Sequence, residues 1–169
     1  MSKNKKILIY GYGNPGRQDD GLGSALIDIA REWVKKENLR LVTLDDNFQL
    51  QVDDVTLMID KDLVIFVDAS REEKILDYHL SPVLADTQAN YSMHAISPGF
   101  LLALYHKLYD DYPPVHLLQI RGYEWEMSET ITPAACHNLE KAWTELRNII
   151  RNPDLLTDDQ IIFKQIKHP

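Results

Sequence analysis

The chain has 169 residues, of which 44% are apolar, so its length and composition fit one compact domain and leave too little material for two. Its 18 basic and 26 acidic residues give a net charge of -8, which disfavours nucleic acid and anionic membrane surfaces as partners. The single cysteine, Cys136, excludes an internal disulfide, and the apolar run at residues 7–10 is too short for a signal peptide or a membrane helix. These features predict a cytoplasmic protein.

The first half of the chain alternates predicted strands and helices. Residues 7–10 predict a short buried strand, which a glycine-rich segment, residues 11–16, then interrupts. A helix over about residues 20–36 follows, with residues 39–44 as a second strand and residues 52–58 as a short helix. Residues 63–67 predict a third strand, and because no polar residue interrupts it, both of its faces should be covered. The apolar face of the first helix comprises Leu22, Ala25, Leu26, Ile29, Ala30, Trp33 and Val34.

The second half continues the same alternation. Residues 77–83 contain Pro82 and predict an edge strand or loop; residues 100–108 predict a helix, and residues 115–120 another strand. Thr132 and Pro133 open the last long helix, and residues 161–163 suggest a late strand. The predicted fold is therefore a single-domain, three-layer α/β/α structure with a mostly parallel central sheet of about five strands. The domain would span residues 1–151, with residues 152–169 as a C-terminal extension.

Three polar residues lie where loops leave the strands of this predicted sheet. Asp20 follows the first strand through the glycine loop, Asp68 ends the third strand, and His94 precedes the helix at 100–108. Ligands usually bind at this edge of a parallel sheet, and two carboxylates with one imidazole suit a divalent transition metal. Spacing alone leaves alternatives open. Asp20 also suits a helix cap and His94 an ordinary loop histidine, whereas Asp68 at the end of a buried strand favours function.

Other motifs favour structural roles. Gly11, Gly13 and Gly16 match the spacing of a dinucleotide-binding loop, but Asp19 and Asp20 would place negative charge where a pyrophosphate binds. Cys136 is predicted as a small core residue, because no partners for a nucleophile accompany it. Four further histidines, around which no carboxylate set can be placed, are predicted at the surface or at helix edges; these are His79, His106, His116 and His137.

The segment from Ile9-Tyr10-Gly11-Tyr12-Gly13-Asn14-Pro15 through Asp19-Asp20-Gly21-Leu22-Gly23 resembles the opening signature of the hydrogenase maturation proteases. Val67-Asp68-Ala69 is similar to that family's strand-end aspartate, and Ser92-Met93-His94-Ala95-Ile96-Ser97 to its loop histidine segment. The similarity spans roughly residues 7–151.

The resemblance implies an endopeptidase that removes the C-terminal extension from the nickel-loaded precursor of a nickel-iron hydrogenase large subunit. Asp20, Asp68 and His94 would be both its catalytic residues and its nickel ligands. The nickel would be carried by the substrate, so the protease would not need a bound metal of its own. Asp19, next to Asp20, would orient one of the metal-binding side chains without contacting the metal itself.

One departure from the family pattern affects the expected substrate. Many members carry Asp-Gly-Gly-Thr after the second strand, whereas this chain has Asp45-Asp46-Asn47-Phe48-Gln49-Leu50. Two other functions remain open. One is a non-cleaving binding module or chaperone for the hydrogenase large subunit. The other is a peptidyl-tRNA hydrolase-like esterase, which the glycine loop suggests but Gln18-Asp19-Asp20-Gly21 and the acidic charge disfavour.

Overall fold

The computed structural model describes residues 4–88 and 96–157 and has one central five-stranded sheet. The strands are β1 (Ile7–Tyr12), β2 (Val42–Asn47), β3 (Leu63–Ser70), β4 (Tyr78–Pro82) and β5 (Val115–Arg121). The helices are α1 (Leu22–Lys36), α2 (Pro98–Leu108), α3 (Pro133–Arg151) and the short α4 (Asp154–Thr157). Two 3-10 helices, Gln18–Gly21 and Val52–Met58, complete the described elements.

The strand order is β2-β1-β3-β5-β4. Neighbours among β2, β1, β3 and β5 are parallel, and β4 pairs antiparallel with β5. The carboxyl ends of β1 and β3 therefore lie side by side, with Gly11 opposite Val67. This arrangement confirms the predicted mostly parallel sheet and the edge strand near Pro82.

Both faces of the sheet are covered, as the uninterrupted apolar sequence of β3 predicts. Alternate residues enter two separate cores: Ile65 and Val67 pack beneath α1 and α3, whereas Val64 and Phe66 pack beneath α2 and the Val52–Met58 helix. Because the side chains of a strand point alternately to opposite faces, a strand covered on both sides carries apolar residues at consecutive positions, here from Leu63 to Val67. The three-layer α/β/α prediction is confirmed.

A glycine contact sets the rotation of α1 against the sheet. A Cβ on Gly23 would lie 2.5 Å from the carbonyl oxygen of Tyr12, so the helix backbone touches the end of β1. Ile27 and Ala30, four and seven residues further on, share that face and are buried. Ile29 is 36% exposed, so its predicted place in the core face is wrong, and Ile27 takes that place.

The second strand begins later than predicted. Asn38 has a positive φ of 53°, and the Leu39 and Val42 N–H groups close turns onto the carbonyl oxygens of Val34 and Leu39. Residues 39–41 are therefore used to reverse the chain after α1. β2 instead extends through Asp45 to Asn47, and Asp46 pairs with Arg31 of α1.

Two residues in the second half differ from their predicted burial. Cys136 is exposed, and its neighbour Ala135 is the residue that packs into the core at the first turn of α3. His116 is only 2% exposed, since it lies in β5, between β3 and β4, and not at the surface. The Thr132 hydroxyl accepts a hydrogen bond from the Ala135 N–H, which confirms the predicted cap of α3.

The last described residues pack against the domain. Leu156 of α4 joins the core beneath α1 and α3, and Lys5 pairs with Asp154 at 2.7 Å. The division at residue 151 remains a prediction, and the strand suggested at 161–163 lies outside the described residues. Within residues 4–88 and 96–157, no helix is long and apolar enough to cross a membrane.

Candidate functional site

Asp68 and Asp20 come together at the carboxyl ends of β1 and β3. Asp68 lies near the end of β3, opposite Gln119 of β5, and is partly buried. Asp20 reaches the same place from the 3-10 helix Gln18–Gly21, which follows the glycine loop after β1. His94, the third predicted residue, lies outside the described residues. Within the described parts of the chain, no three potential metal-ligating side chains form a group.

The glycine loop holds Asp20 by a local hydrogen bond. Its Oδ2 accepts from the Asn14 N–H at 2.8 Å, while the N-cap of α1 is Gly21 and makes no side-chain cap bond. Gly13 has a φ of 132°, and a Cβ there would lie 2.1 Å from the Asp20 carbonyl oxygen. The Asp20 carboxylate therefore closes the loop and makes no cap hydrogen bond to α1.

The environment of Asp68 disfavours its charge. Burial, with a smaller contribution from the negative charge of Asp20, raises the pKa of Asp68 to about 7. Hydrogen bonds from the Tyr12 hydroxyl and the Ala69 N–H act in the opposite direction and lower the pKa of Asp68. Tyr12 responds in turn, since burial and then the Asp68 charge raise the pKa of its hydroxyl.

Asp20 and Asp68 could together supply oxygen ligands to a cation. None of the salt bridges among the described residues involves Asp20 or Asp68, so the two carboxylates repel each other without a compensating cation. A divalent ion between them would supply the missing charge and favour both ionised forms. Carboxylate oxygens are suitable ligands, and a histidine nitrogen would complete a mixed oxygen–nitrogen set.

Asp19 acts on a different part of the chain. It is fully buried, and its Oδ2 accepts from the Tyr123 and Glu124 N–H groups at 2.7 and 3.1 Å. The Thr132 N–H and hydroxyl each donate to it at 2.8 Å. In the described residues these four bonds all come from residues 123–132. Asp19 thus fixes that segment and the start of α3 against the loop that carries Asp20.

Sequence reasoning missed two features of this site. Tyr12 stands inside the glycine motif, yet only the structure shows that its hydroxyl donates to Asp68. The role of Asp19 was also hidden, because its partners lie 104 to 113 residues further along the chain. The position of Tyr12 at the end of a buried strand was the one signal available for it.

With this geometry the chain has the fold of the nickel-iron hydrogenase maturation proteases, which confirms the resemblance at the level of fold. The similar structures include the NiFe hydrogenase maturation protease HycI from Thermococcus kodakarensis, with a TM-score of 0.71 and 19% identity over 89% of this chain and 96% of that one.

The hydrogenase maturating endopeptidase HybD from E. coli gives a TM-score of 0.68 with 17% identity, over 88% of this chain and 93% of that one. A hydrogenase 2 maturation peptidase from a Thaumarchaeota archaeon gives 0.59 with 18% identity, over 86% and 98%. No protein-family model matches the sequence, and no curated protein matches it either.

Proposed function

We propose that this protein is an endopeptidase that removes the C-terminal extension from the nickel-loaded precursor of a nickel-iron hydrogenase large subunit. The observation that carries the proposal is the unneutralised pair Asp20 and Asp68, at the carboxyl ends of β1 and β3, in a fold shared with proteases of that kind. Asp20, Asp68 and His94 would bind the nickel that the precursor carries.

The proposed chemistry follows from how the two aspartates are held. Asp20 is fixed through Asn14 and Asp68 through Tyr12, so their oxygens would meet an incoming cation in defined positions. Nickel bound there would position the C-terminal region of the precursor and polarise the scissile carbonyl or a water molecule. Recognition of the metal would also restrict cleavage to precursor that has already received its nickel.

The test is to incubate the protein with nickel-loaded and nickel-free large-subunit precursors and follow the size of the large subunit. We expect the protein to shorten the large subunit to its mature size only when the precursor carries nickel. Asp20→Asn and His94→Ala should each abolish processing, whereas Asp28→Asn makes the same charge change at an exposed position of α1 and should leave it intact.

Two results would contradict the proposal. Unchanged processing by Asp20→Asn or His94→Ala would remove those residues from the site. A stable, uncut complex with the nickel-loaded precursor would instead support the non-cleaving chaperone, and the same assay distinguishes the two functions.

A further inference from the structure

A surface pocket of about 320 Å³ is lined in part by residues close in sequence to the two aspartates. Arg17 precedes Asp20 by three residues, at the start of the 3-10 helix that carries it, and Arg71 directly follows the end of β3, three residues after Asp68. The Asp20 N–H donates to the Arg17 carbonyl oxygen at 3.1 Å. The pocket is lined by Arg17, Arg71, Tyr123, Glu124, Trp125 and Glu126.

The walls of this pocket are tied together independently of any ligand. The Gln18 side chain donates to Glu124 Oε2 at 2.9 Å and accepts from the Glu126 N–H at 2.8 Å. The Gln18 N–H donates to the Ser128 carbonyl oxygen, and the buried Asp19 carboxylate holds the far wall. A site fixed in this way loses little conformational entropy when it binds.

The two arginines are arranged to present hydrogen-bond donors. The Arg71 guanidinium lies 4.2 Å from the centre of the Trp125 ring, and stacking uses its face and leaves its in-plane N–H groups available. Arg17 Nη2 donates to the Trp125 carbonyl oxygen at 3.3 Å, so both guanidinium groups flank one tryptophan. Neither arginine belongs to a salt bridge among the described residues.

The mixed charge of the lining selects among anions. Glu124 and Glu126 also line the pocket, which disfavours a dianion such as phosphate. A peptide carboxylate carries one negative charge, and the N–H groups beside it can donate to the glutamates. Tyr123 of the lining is 44% exposed, and Met127, which follows the lining residue Glu126, is 80% exposed. Tyrosine, tryptophan, methionine and arginine are the residue types enriched where proteins bind one another.

We propose that this pocket binds a carboxylate of an extended peptide, held by Arg17 and Arg71 while the peptide runs towards Asp20 and Asp68. The inference rests on the proposed function in one respect, since it takes the bound molecule to be a polypeptide. Either a C-terminal carboxylate or an acidic side chain would supply the recognised group.

The test uses the hexapeptide acetyl-Gly-Ala-Ser-Leu-Ala-Val in three forms: with a free C-terminal carboxylate, with a C-terminal amide, and with the amide plus glutamate in place of serine. Binding is followed by the shift of the Trp125 indole N–H signal in ¹H–¹⁵N NMR spectra, assigned with Trp125→Phe. We expect the amide to bind at least about tenfold more weakly than one of the carboxylate forms, and that form identifies the source.

Two substitutions of Arg71 distinguish the contribution of its positive charge from that of its planar hydrogen-bond donors. Arg71→Ala should weaken binding of the carboxylate form at least about tenfold, and Arg71→Lys should restore part of it, because lysine keeps the charge and loses the planar pair of donors. Arg40→Ala removes the same charge at an exposed position preceding β2, at the opposite end of the sheet, and should change nothing. Equal binding of all three peptides, or tighter binding of inorganic phosphate, would overturn the proposal.

The two proposals fail in different ways. If Arg17→Ala and Arg71→Ala process the nickel-loaded precursor at the wild-type rate, the carboxylate pocket is wrong and the protease function stands. If the precursor is never cut but peptide binding depends on the carboxylate and on both arginines, the pocket stands and the protease function is wrong.

Discussion

Replacing Asp68 by asparagine should stabilise the fold at alkaline pH far more than at acid pH. The pKa of Asp68 is raised from 3.8 to about 7, chiefly by burial and further by the charge of Asp20. Between these values the native state keeps a proton that the unfolded chain has lost. The stability linked to that proton is fully present below pH 3.8 and is lost as the pH rises through about 7.

The magnitude follows from the same two values. A rise in pKa from 3.8 to about 7 corresponds to an ionisation penalty on the order of 4 kcal/mol in the folded state. Roughly half of it, about 2 kcal/mol, develops between pH 5.5 and pH 8. Asparagine has the same shape and can still accept from Tyr12, but it does not titrate. The free energy of unfolding of Asp68→Asn, relative to wild type, should therefore rise by about 2 kcal/mol over that interval.

The assay is urea unfolding followed by tryptophan fluorescence at several pH values above the isoelectric point of about 5.1, with EDTA present to remove metals. Asp77→Asn is the matched control. The Tyr78 N–H and Lys141 lower the pKa of Asp77, so its stabilising charge is complete above 3.8 and is lost only as the pH falls through the lowered value. Asp77→Asn should therefore lower the free energy of unfolding by an amount that does not change over the pH range of the assay. A difference for Asp68→Asn that is flat or falls with pH would refute the reasoning.

Three further substitutions test the surrounding structure. Asp19→Asn should lower the free energy of unfolding by about 3 kcal/mol, because a buried amide cannot accept all four hydrogen bonds. Thr132→Val should lower it by about 2 kcal/mol, because it removes the hydroxyl's bond to Asp19 and its cap bond from the Ala135 N–H; both variants are measured in urea. Gly23→Ala should lower the melting temperature by several degrees, since its Cβ would meet two backbone carbonyl oxygens at 2.5 and 2.8 Å, and an unchanged value would contradict the close contact of α1 with the sheet. Tyr12→Phe should raise the pKa of Asp68 above its wild-type value, as measured by NMR titration of the carboxyl carbon, and a lowered pKa would show that the hydroxyl does not donate to it.

Local patterns in the sequence predicted most elements of the fold. Strands β1, β3 and β5 are short apolar runs between turn residues, and α3 has both a cap and a core-facing stripe. These patterns did not predict how α1 is rotated about its axis against the sheet, or at which residue β2 begins. The helical pattern placed Ile29 in the apolar face of α1, whereas the contact of Gly23 with β1 turns Ile27 into the core. Such a contact depends on an element that is separate in sequence.

The candidate site was predictable in position and not in detail. Asp20 and Asp68 stand where strands end, and topology alone brings those ends together. The raised pKa of Asp68 needed the surrounding burial, and the buried role of Asp19 needed partners in residues 123–132. The part played by His94 stays a prediction, because that residue lies outside the described parts of the chain.

The two edge strands of the described sheet affect the tendency of the molecule to aggregate. A bare strand edge is a template onto which another chain can add, the first step of amyloid-like assembly. Here β2 carries Asp45 and Asp46, and β4 ends on Pro82, which has no N–H to offer. Crowded molecules would therefore meet repulsion at one edge and a missing donor at the other, which disfavours the addition of a further strand from another molecule to this sheet.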